Sequence, residues 1–169
     1  MRILGAVLIM LLLTACSDGA SSAGRETSEP AKQEEAGLAA LRSAKPAMTS
    51  ALSASSSTFG GLHLPCDLGN NTFEYSITGG LTGDGASWHD GTGALRTELA
   101  AAGWELKDTI DDTSVAGTRE GLELLVQRGR RTDDGVEWRV SLTAPCVAFS
   151  DAGADRARAR GTVDLSGDL

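Results

Sequence analysis

Ser87, His89 and Asp90 place three residue types of a hydrolytic triad inside the four-residue stretch S-W-H-D. In a triad an imidazole takes the hydroxyl proton and a carboxylate orients the imidazole, which requires the three groups to converge in space. Neighbours at the start of a helix point in different directions, and no G-x-S-x-G elbow offers a serine elsewhere. Ser87 therefore reads as a helix cap, with Asp90 favoured by the helix dipole. The two histidines, His63 and His89, lack the H-x-x-x-H or H-E-x-x-H spacing of a zinc site. The glycine-rich stretch G-G-L-T-G-D-G has no following Lys-Ser/Thr, so it does not read as a phosphate cradle. Asp111-Asp112 and Asp133-Asp134 read as turn formers. No catalytic residue, metal or cofactor is expected, and the chain reads as a non-enzyme.

The cysteines carry more information. Arg2 precedes eleven apolar or small residues, Ile3 to Leu13, too few to span a ~30 Å hydrocarbon core but enough for the apolar part of a secretory signal. The quartet Leu13-Thr14-Ala15-Cys16 resembles the lipobox of bacterial lipoproteins. That resemblance implies cleavage before Cys16, a diacylglycerol on its sulfur, and a domain held by its acyl chains on the extracytoplasmic face of the cell membrane. With Cys16 acylated, two of the three cysteines remain, Cys66 and Cys146. In an oxidising compartment they are the available intramolecular pair. Closing a loop of about 80 residues contributes on the order of 4 kcal/mol in the chain-entropy model.

Removing residues 1–15 takes away Arg2 alone among charged groups, so 14 basic residues face 23 acidic ones, a balance of −9. Such a surface repels nucleic acid and anionic headgroups. Arginine outnumbers lysine twelve to three, which, with abundant Ala and Gly, resembles actinobacterial usage.

The elements that must position any site follow from periodicity. Residues 16–33 contain no large apolar side chain and read as the acylated cysteine and a flexible tether. From Glu34 to about Ser57, Leu38, Leu41, Lys45, Met48 and Leu52 form one helical stripe that Pro46 kinks or splits. Thr72–Thr78 alternates as a strand with Phe73, Tyr75 and Ile77 on one face. G-G-L-T-G-D-G then reads as a loop, and a second helix runs from Ser87 to about Ala102, ended by Gly103. Further strands are expected from Trp104 to Ile110, over Val115–Arg119, from Leu122 and from Val136 to Thr143. Short links make them antiparallel neighbours, and one-sided patterning leaves one face for the helices.

The expectation is a two-layer α+β domain over residues 34–149, with an antiparallel four- to five-stranded sheet covered on one face by two helices. Residues 150–169 read as a flexible tail, with Thr162 to Leu165 a candidate edge strand. Phe73, Tyr75, Trp88, Trp104 and Trp138 fall on inward stripes, either as core or as the lining of an apolar pocket. Three functions stay open. The first is a non-catalytic binding or interaction module of the cell envelope, using a membrane anchor and an envelope protein or lipid as partner. The second is a carrier of a hydrophobic envelope molecule, as in some actinobacterial lipoproteins. The third is a cell-wall hydrolase.

Overall fold

A computed structural model describes residues 29–67 and 70–167. Residues 1–28, including Cys16 and the lipobox-like quartet, lie outside the described residues. The fold is α+β, with one antiparallel sheet. In chain order the elements are α1 (Glu29–Leu52), β1 (Ser56–Pro65), β2 (Thr72–Gly83), α2 (Ser87–Ala101), β3 (Glu105–Lys107), β4 (Ser114–Arg119), β5 (Leu122–Thr132), β6 (Gly135–Thr143), β7 (Val147–Ala148), α3 (Asp151–Arg160) and β8 (Val163–Asp164). The sheet runs β3-β4-β5-β6-β2-β1-β8, with β7 paired to β2 beside this path. Among the described residues it has eight strands rather than four or five, and three helices rather than two.

Each difference has a local cause. The first helix begins at Glu29, inside the stretch read as tether, and passes through Pro46 unbroken. Leu41, Ala44, Met48 and Leu52 are fully buried on both sides of Pro46, while the proline ring lies on the exposed side. Burial of this stripe offsets the roughly 3 kcal/mol that an interior proline costs. The glycine-rich stretch is not a loop: β2 continues to Gly83, and Leu81 keeps the alternation of Phe73, Tyr75 and Ile77. Gly79 is inward because it pairs with Phe59, where an added Cβ would meet the Thr58 carbonyl and the Phe59 ring. On β1, Gly61 likewise makes room for the Tyr75 hydroxyl. These inward glycines hide the two-residue period, which is why β1 escaped a hydropathy reading.

Two further expectations are corrected. Strand β3 is short, and Ile110 is fully exposed in the following turn rather than facing inward. Asp111 Oδ1 organises that turn by accepting from the Thr113 amide, the Thr113 hydroxyl and the Ser114 hydroxyl, and these bonds hold its carboxyl below the usual range. The segment from Ser150 onward is not a loose tail. It forms α3, with the Ser150 hydroxyl accepting from the Gly153 amide as the cap, and β8, which pairs with Gly60 and Gly61 of β1. Ala154 and Ala157 are the side chains it buries within the helix, too small to register as a hydrophobic stripe.

The helices share the sheet face that presents Leu81, Val115, Leu124, Val126, Val140 and Leu142, and these residues with Leu95, Leu99, Trp104 and Trp138 form the main core. A second cluster joins Phe73 and Phe149 to Ala154 and Ala157 of α3. Cys66 and Cys146 form a disulfide with a Cα separation of 6.3 Å. It ties the end of β1 to the segment after β6.

Candidate functional site

The residues named as a possible triad do not converge. His89 is exposed at the start of α2. Ser87 is buried; its hydroxyl donates to the Asp84 carbonyl at 2.7 Å and accepts from Trp138 Nε1 at 3.1 Å. Nor is Ser87 the cap: Ala86 stands at the N-cap of α2 without a side-chain cap bond, and the Ser87 amide donates to the Asp84 side chain at 2.9 Å. His63 sits on β1, apart from α2 in sequence and element.

The five aromatic residues offered as a pocket lining are divided. Tyr75, Trp104 and Trp138 belong to the main core, while Phe73 belongs to the second cluster. Trp88 is half-buried, and the Arg128 guanidinium lies 4.8 Å from its ring centre and donates to its carbonyl. Trp138 is fully buried against α2, where Gly91 leaves the space its ring occupies: a Cβ there would approach Trp138 Cζ2 to 2.6 Å.

A different group of residues comes together where α1, α3, β1 and β2 meet. Glu34 of α1 is buried; its Oε2 accepts from Arg160 of α3 at 2.9 Å, and its Oε1 lies 3.7 Å from His63 Nδ1. The His63 side chain is only 1% exposed. Its ring packs 4.9 Å from that of Tyr75 and 5.8 Å from that of Phe149. Burial pushes Glu34 up, against the opposing pull of Arg160. Burial, then the Arg160 charge, push His63 down, against the Pro30 carbonyl, which favours the protonated ring. At neutral pH the imidazole is therefore uncharged, and its contact with Glu34 is dipolar rather than ionic. Burial and the nearby Glu34 charge push Tyr75 up to about 12, with Arg160 opposing.

This junction is incompletely satisfied. Gln33 Oε1, Glu34 Oε1 and His63 Nε2 are buried without a hydrogen-bond partner, at a typical cost of about 1–3 kcal/mol for each such group. Beside them an open hollow of about 390 Å³ is bordered by Leu62, His63, Pro65, Phe73, Ala157 and Arg158. Arg158 is engaged there: it stacks 5.3 Å over Phe73 and donates to Asn71 and Asp155. Sequence reasoning missed the group because Glu34, His63 and Arg160 are distant in the chain and α3 was not foreseen.

The ligand atoms of Cys66, Glu74 and Cys146 lie within 4.8 Å of one another. The two sulfurs are bonded to each other, which leaves a carboxylate as the available donor and no thiolate to bind a soft metal. On the opposite, helix-free face of the sheet, Lys107 pairs with Glu123 at 2.7 Å and Arg130 with Glu137 at 2.9 Å. Gln127 and Arg139 are cross-strand neighbours on the same face. No helix among the described residues is long and apolar enough to cross a membrane.

No family model, curated protein or solved structure matches this chain.

Proposed function

We propose that the protein is a lipid-anchored, extracytoplasmic module of a bacterial envelope that acts by binding rather than by catalysis. The observation that carries this reading is the division of the three cysteines. Cys66 and Cys146 are joined to each other, which leaves Cys16 by itself in a lipobox-like quartet after a short apolar run. A disulfide suits an oxidising compartment, and acyl chains on Cys16 would hold the domain at the membrane surface.

Two further features support binding. The interface between the helices and the sheet is filled by Leu41, Met48, Leu52, Leu95, Leu99 and Trp138, each fully buried, which favours an interaction module over a lipid carrier. The helix-free face, with Glu123, Gln127, Glu137 and Arg139, offers a broad mixed-charge surface to an envelope protein. The acidic balance disfavours nucleic acid as a partner.

The test is expression of the full chain and of Cys16→Ser in a bacterial host fed an alkyne-labelled fatty acid. The wild type should carry the label and sediment with membranes, and Cys16→Ser should lose both properties. An unlabelled wild type would sink the anchored reading. Native mass spectrometry of the protein released from membranes separates the two binding classes: an unliganded mass supports the interaction module, and a stoichiometric lipid beyond the anchor replaces it with the carrier.

A further inference from the structure

The C-terminal segment is attached differently from the rest of the fold. It follows Cys146 and so lies outside the disulfide-closed loop. It adds Ala154 and Ala157 to the second cluster and Leu165 to the edge of the main core, with Val163 packed beside it, and its sheet pairing is two residues of β8 against Gly60 and Gly61. Polar clamps hold α3 along its length. Glu29 accepts from the Ser150 amide and hydroxyl, both at 2.9 Å, at the start of α3. Glu34 accepts from Arg160 at the end of the same helix. Asn71 bridges Asp151 and Arg158 between them, at 2.7 and 2.8 Å.

Beside the Arg160 clamp lie Glu34 and His63, each with a buried polar atom that has no hydrogen-bond partner. Water would satisfy both if the segment lifted, so closure leaves unmade the bonds that opening would make. Among the described residues, the main core is instead dominated by one continuous cluster of apolar side chains.

We propose that residues 150–167 form a strap that lifts as a unit in mildly acidic surroundings, with His63 taking up the proton, while the disulfide-closed sheet stays folded. Lifting uncovers the Phe73 ring and the edge of β1. The groups facing His63 are Glu34 from α1, Tyr75 from β2, and Arg158 and Arg160 from α3. Burial keeps His63 neutral while the strap is closed; hydrated, the ring returns toward its ordinary value of about 6.5 and binds a proton more readily. Acidification through that value therefore favours the open form. Glu34 acts in the opposite sense, because burial raises it and its protonation favours closure. Tyr75 titrates far above this range, and the arginines keep their charge throughout.

The experiment is amide hydrogen exchange by mass spectrometry on the full chain in detergent at pH 7.5 and 5.5, with rates corrected for intrinsic exchange. The opening constant of amides in α3 and β8 should rise over those two pH units by at most about tenfold, the ceiling for one proton bound near pH 6.5, with Glu34 protonation reducing it. Amides of β5 and β6 should not change. In His63→Gln the strap response should flatten. Exchange of strap and sheet together, a strap response absent in the wild type, or one unchanged in His63→Gln, overturns the proposal. Imidazole NMR on His89→Gln, which leaves His63 as the sole histidine, gives a second readout independent of the His63 variant. In the closed native protein His63 should titrate below its ordinary value, and a native titration at or above that value removes the linkage and also overturns the proposal.

Discussion

Trp138 Nε1 donates to the Ser87 hydroxyl at 3.1 Å, a buried bond that joins the middle of β6 to the first turn of α2. The indole is fully buried, so nothing replaces the acceptor once it is removed. Ser87→Ala should therefore lower stability by about 1–3 kcal/mol, the cost of a buried donor left unpaired. In urea unfolding the midpoint should fall with the slope unchanged, and the near-UV dichroism of the indole should weaken. Ser141→Ala, which alternates with the buried Val140 and Leu142 of β6, should change stability by less than about 0.5 kcal/mol.

Two glycines of α2 should respond in opposite senses to one substitution. At Gly91 an added Cβ comes within 2.6 Å of Trp138 Cζ2, whereas at Gly93 it meets nothing within 4 Å. Gly91→Ala overpacks the helix–sheet interface and should cost about 1–3 kcal/mol. Gly93→Ala adds no contact and reduces the freedom of the unfolded chain, so it should stabilise by about 0.4–1 kcal/mol. Thermal unfolding of both variants beside the wild type checks the signs, and equal signs would contradict this account of helix packing.

What could be read in the sequence, and what could not, follows from the same packing. Strands β4, β5 and β6 were legible because Val115, Leu122, Leu124, Val126, Val136, Trp138, Val140 and Leu142 state the inward face with large side chains. The start of α2 was legible as a position, but the capping side chain was misassigned, because spacing does not show that Trp138 claims the Ser87 hydroxyl. Strand β1 and the second half of β2 were hidden where glycine stands opposite an aromatic ring, Gly61 beside Tyr75 and Gly79 beside Phe59. There the pair is complementary in volume, and neither strand alone shows it. Helix α3 was hidden for another reason, since it binds through ion pairs and two alanines. Its cap at Ser150, arginines in the last turn and Gly161 at φ 60° were signals that a hydropathy reading passes over. The cluster around His63 depended on that helix and was lost with it.

Reduction of the disulfide gives a third outcome. Cys66 and Cys146 are 80 residues apart in sequence, and a cross-link of that span removes much of the unfolded chain's freedom. The double variant Cys66→Ser/Cys146→Ser should unfold at lower urea, with a loss of about 2–5 kcal/mol. Intact mass of the oxidised wild type should lie two hydrogens below that of the reduced protein. A midpoint unmoved by reductant would mean that strain in the native state cancels the entropic gain.

Tyr75 offers the cleanest titration, because it is the single tyrosine in the chain and its phenolate can be followed near 295 nm without ambiguity. Burial between α1 and β1, with the Glu34 charge nearby, pushes it up to about 12. The native pKa thus lies above the ordinary value of about 10, and the neutral phenol is the form the fold prefers. Stability from this preference is complete below pH 10 and is lost as pH rises through 12. The absorbance step should stand near pH 12 in the native protein and return to about 10 in urea. Glu34→Gln removes the nearby negative charge and should move the native step down, while Arg160→Gln removes the opposing positive charge and should move it up. A native step at the ordinary value would mean that water reaches the hydroxyl and that the junction of α1, α3, β1 and β2 is open.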